Sequence, residues 1–85
     1  MKMKLLQWGY TKKHNIKAFF DYCPNSSVIF RQIQDYYFIY IVNWSEHDLI
    51  ISKKELVIME QLLNTELGTI EAYEKRKSKQ DIVLT

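Results

Sequence analysis

Residues 36–44 read Tyr-Tyr-Phe-Ile-Tyr-Ile-Val-Asn-Trp, a run of aromatic and β-branched side chains that suits a pleated strand better than a helix. Side chains alternate across a strand. One face of this segment therefore presents Tyr36, Phe38, Tyr40, Val42 and Trp44, and the other Tyr37, Ile39, Ile41 and Asn43. Both faces are apolar, so a fold built around this strand must cover two sides of a sheet or leave one for another molecule.

The main amphipathic segment follows it. Ser52 and Glu55 have the spacing of a capping box, which starts a helix at Lys53. Leu56, Met59, Leu63, Leu67, Ile70 and Tyr73 then recur at spacings of three and four, and Ile58 and Leu62 widen the stripe. Gly68 is the natural bend or break in this helix, since glycine costs about 1 kcal/mol there relative to alanine. Ahead of it, residues 3–10 and 28–34 read as strands, and the polar clusters at 11–15 and 23–27 as turns. Residues 16–23 fit either period and are taken as a strand. Residues 49–51 form a short additional strand.

The expected fold is α+β: a small antiparallel sheet of four to five short strands with one long C-terminal helix packed on one face. With 85 residues the chain has room for one modest core and no large enclosed cavity. We read residues 1–80 as a single compact domain and 81–85 as a short tail. In topology alone this arrangement resembles the small sheet-plus-helix folds that bind single-stranded DNA, though no motif carries the resemblance.

One helix covers one face of a sheet, and the aliphatic face with Ile39 and Ile41 is the better partner for Leu56, Met59 and Leu63. The aromatic face is then the candidate interface: Tyr36, Phe38, Tyr40 and Trp44, extended by Trp8 and Tyr10 of the first strand. Ile70 and Tyr73, on the surplus length of helix, join the list. A protein partner or a second copy of the chain fits this surface, because aromatic residues dominate interface hot spots. The alternatives are cover by the chain's own N-terminal half or by single-stranded nucleic acid. In the nucleic-acid reading bases stack on the aromatics at about 1–3 kcal/mol each, and Lys2, Lys4, Lys12, Lys13, Lys17 and Arg31 follow the phosphates.

Charge is segregated along the chain. Residues 1–34 carry six basic and one acidic side chain, residues 35–74 two basic and eight acidic, and residues 75–85 four basic and one acidic, for a net +2. This places basic surface near the start and acidic surface on the helix. Ten of the twelve basic residues are lysine, a bias that suits an AT-rich bacterial or phage genome.

Catalytic signatures are absent. His14, Cys23 and His47 lack metal-ligand spacing, the Glu46-His47-Asp48 cluster sits in a polar turn where such residues are common, and no phosphate loop or nucleophile elbow occurs. We expect no enzyme activity, metal, cofactor or small-molecule substrate. A lone cysteine points to a reducing, cytoplasmic setting, and the longest apolar run, Tyr36 to Val42, falls far short of the roughly 18 residues a membrane helix needs. The expectation is a small cytoplasmic protein-binding regulator or inhibitor, phage-like or mobile-element-like, with single-stranded nucleic-acid binding as its alternative.

Overall fold

The structure, a computed structural model, describes residues 2–76. It is α+β. Four strands, β1 (Leu5–Tyr10), β2 (Ile16–Phe20), β3 (Ser27–Ile33) and β4 (Tyr36–Asn43), form an antiparallel meander in the order β1-β2-β3-β4. Two helices follow, α1 (Lys53–Leu67) and α2 (70–76). The end of the expected domain and the 81–85 tail lie outside the described residues.

Directly paired residues share a face, so the register sorts the sheet. Tyr10, Ile16, Phe30 and Ile39 form one cross-sheet row, and Trp8, Ala18, Val28 and Val42 another on the same side. Ile16, Ala18, Phe20, Val28 and Phe30 are fully buried here with Met59 and Leu63 of α1, with Met3 and Tyr37 close to fully buried among them. This single layer of helix on sheet is the core. The alternation Ile16-Ala18-Phe20 settles residues 16–20 as strand, its inward side chains reaching the helix and its outward ones, Lys17 and Phe19, pointing away.

Three expectations require correction. The C-terminal helix is two helices, because Gly68 adopts φ +78° and closes α1 with a Schellman motif, its N–H donating to Thr65 O while Thr69 N–H donates to Asn64 O. The surplus is not left free as interface: after Gly68 the chain turns back and Tyr73 of α2 packs edge-on against Tyr36, ring centroids 6.0 Å apart. Residues 49–51 form no strand, and the sheet has four strands among the described residues.

Side chains of α1 occupy the position a fifth strand would take. β4 is an edge strand, and exposed edges invite pairing with other chains. Asn64 Oδ1 accepts from Tyr37 N–H at 2.9 Å while its Nδ2 donates to Tyr37 O at 2.8 Å, a two-point bond of the kind a neighbouring strand makes. Glu60 Oε2 accepts from Ile39 N–H at 2.8 Å, and Glu60 Oε1 accepts from the Tyr73 hydroxyl at 2.7 Å. Burial and then this carboxylate push the Tyr73 phenol well above its ordinary pKa.

The connection from β4 to α1 is pinned at Asp48. Its carboxylate accepts from the Asn25 N–H and side-chain amide and from the Ser26 hydroxyl, and Ser26 Oγ in turn accepts from Ser45 N–H. The capping box at Ser52 and Glu55 is formed in full. No helix among the described residues is long and apolar enough to cross a membrane.

Candidate functional site

The second face of the sheet carries no helix except at the start of β4, where Tyr36, on the face of its partner Ile33, is covered by Tyr73 of α2. The row Gly9, Lys17, Ile29 and Ile41 crosses all four strands on this side, and Phe19, Arg31, Ile33 and Phe38 share it. Tyr40 belongs to it through a bulge. Phe30 pairs with Ile39 and Ile29 with Ile41, so Tyr40 is the extra residue of β4. A bulge shifts the alternation by one position. It places Val42 in the core and Ile41 outside, the reverse of what strict alternation predicts. Phe38 and Tyr40 remain together on the open face, with Tyr40 52% and Ile41 48% exposed.

Two cations lie flat on this apolar surface. The Arg31 guanidinium is stacked 3.8 Å from the Tyr40 ring centroid, and Lys17 Nζ stands 5.7 Å from that of Phe19, both within cation–π range. Strand positions of this face hold no carboxylate. At its β1 end, Gly9 leaves space that a side chain would fill: a Cβ there would meet nothing within 4 Å. An open hollow of about 480 Å³ lies there, bordered by Trp8, Tyr10, Lys12, Lys17 and Phe19.

The other anticipated residues are dispersed. Tyr36 and Tyr73 are buried against each other. Trp8 and Tyr10 sit on the helix-covered side, in edge contact at 5.7 Å, with Trp8 packed on the core and Tyr10 exposed at the sheet edge. They do not extend the aromatic face, because the register with β2 places them opposite the buried Ala18 and Ile16. Trp44 is partly exposed just beyond β4 and Ile70 is half-buried. Of the basic residues, Lys17 and Arg31 lie on the open face, Lys12 and Lys13 occupy the β1–β2 turn, and Lys2 and Lys4 precede β1 at its opposite end. They form no single stripe.

Phe19, Ile29, Ile33 and Ile41 were not among the anticipated site residues. Period-two alternation within residues 16–20 and 27–33 puts the first three on one face. Ile41 was hidden by the bulge. A separate apolar feature, Leu49-Ile50, stands 86% and 78% exposed in the β4–α1 connection.

The groups with catalytic character are otherwise engaged. Cys23 is fully buried, and burial, followed by the charges of Asp48, Asp21 and Glu55, raises its thiol pKa, which suppresses the reactive thiolate. Asp48 serves the Asn25-Ser26 turn. His47 is exposed, with Nε2 3.9 Å from the Glu46 carboxylate. Among the described residues no group of three His, Cys, Asp or Glu is placed to hold a metal ion.

A family model described as uncharacterised protein YuzH matches residues 4–78. No curated protein and no solved structure matches the chain.

Proposed function

The chain belongs to the YuzH family, and on that premise we propose that it is a small non-enzymatic regulator or inhibitor, cytoplasmic, that works by binding another protein with the open face of its sheet. One observation carries this reading: Phe19, Ile29, Phe38, Tyr40 and Ile41 share the sheet face opposite the core, none of them belongs to the core cluster, and Tyr40 and Ile41 stand 52% and 48% exposed. Exposed apolar patches of this kind are uncommon on monomeric proteins and mark interaction sites. The pinned loop at Asp48 and the covered β4 edge support it further, because a rigid scaffold presents a surface at low entropic cost.

Single-stranded nucleic acid is the rival, favoured by the hollow where Lys12 and Lys17 meet Phe19. Two features weigh against it. Three isoleucines interrupt the aromatics and offer no flat ring for a base, and Arg31 already lies on the face of Tyr40.

The test is affinity capture from source-cell extract, with and without nuclease, using the wild-type chain and a Tyr40→Ser, Ile41→Ser variant. The reading predicts a protein retained after nuclease and lost with the variant, whose melting temperature stays within a few degrees of wild type. Unfolding of the variant, or capture that vanishes with nuclease, contradicts it.

A further inference from the structure

Resting on that reading, we infer that the partner presents an apolar surface bearing carboxylates, which Lys17 and Arg31 receive within the contact area. Both cations stand among apolar neighbours, and among the described residues neither is paired with a carboxylate. Covering them with a purely apolar surface would strip water from two charges without compensation, which is costly. A carboxylate removes that cost. Arg31 is prepared for one: stacking on Tyr40 fixes the plane of the guanidinium while leaving its in-plane N–H groups available for a bidentate bond.

The same charges argue against a second copy seated face to face. A two-fold axis through the centre of this face would bring the Lys17 and Arg31 of one copy near those of the other, with no acidic strand residue on either face to separate them.

The experiment places p-benzoylphenylalanine at Phe38 of the full chain in the source cell, irradiates, and maps the adduct by mass spectrometry. The expected adduct is a protein segment with Asp or Glu beside the linked apolar residue. Its yield falls about tenfold or more with Lys17→Glu and Arg31→Glu together, is largely kept with Lys17→Arg, and is only partly kept with Arg31→Lys, which retains the charge but not the planar fork. Should the Glu pair fail to fold, Lys17→Gln with Arg31→Gln lowers the yield several-fold. A protein adduct in a segment free of carboxylates, an adduct to a second copy of this chain, or a yield indifferent to the charge changes overturns the inference alone. An adduct to nucleic acid only, or no adduct at all, overturns the protein-binding reading and this inference together.

Discussion

Asn64 shows how much one side chain decides in a domain of this size. Its amide has two donor and two acceptor positions, and all are used: Nδ2 donates to Tyr37 O and Glu60 O, and Oδ1 accepts from Tyr37 N–H and the Thr69 hydroxyl. An asparagine on the inner face of an amphipathic helix looks like a defect, yet here it is fully buried and joins α1, β4 and the start of α2. Asn64→Ala leaves the Tyr37 backbone groups without partners, and we expect a loss of about 2–3 kcal/mol in urea unfolding. Asp48 makes a second prediction. Partial burial opposes its ionisation, but the hydrogen bonds from Ser26 and Asn25 outweigh this and hold the carboxyl below its ordinary value of 3.8. Glu55 is depressed in the same direction by its bonds to Ser52. A carboxyl depressed on folding contributes stability that is present above the unfolded pKa and lost as pH falls through the folded one. Stability measured downward from pH 5 should therefore decline, and Asp48→Asn should flatten that decline. Tyr73, whose pKa is raised, supplies the opposite limb: its contribution is complete below the ordinary phenol value of 10.0 and is lost as pH climbs above it.

At the scale of elements, β1, β3, β4 and the start of α1 were legible because each has a local cause: β-branched and aromatic runs for the strands, turn formers between them, and a capping box at Ser52; residues 16–23 fit both periods, and only pairing with β1 and β3 fixes β2. Gly68 was legible as a break, but the direction taken afterwards was not. It depends on Tyr73 reaching Glu60 and Tyr36, residues far from it in the chain. The two bulges, at Leu6 and Tyr40, were also hidden, since an extra residue is apparent only against a paired strand. The β3–β4 turn carries strain that the sequence likewise conceals. Gln34 holds φ +52° at the first central position of a two-residue hairpin loop, where glycine is preferred. Gln34→Gly should raise stability by about 0.5–1 kcal/mol by equilibrium unfolding, because a side chain in left-handed backbone is disfavoured and glycine is not. A loss of stability would contradict this account of the turn.

Across the whole molecule, the surplus of apolar surface was readable from residues 36–44 alone. Its membership was not. Four of the seven anticipated aromatics, Tyr36, Tyr73, Trp8 and Tyr10, went to the core side or to the α2 contact, and four side chains from β2, β3 and the far side of the bulge took their place. Charge follows the layers: the open sheet face carries cations without carboxylates, while α1 and α2 carry Glu55, Glu60, Glu66, Glu71 and Glu74. The two faces of the sheet have different fates: one builds the core, and the other is the surface proposed to meet a partner. The same substitution on each face tests it most directly. Ile16 is fully buried and Ile41 is 48% exposed. In urea unfolding, Ile16→Ala should cost about 2–5 kcal/mol and Ile41→Ala less than about 1 kcal/mol. Equal losses of several kcal/mol would mean that both faces are core and that no binding surface is left.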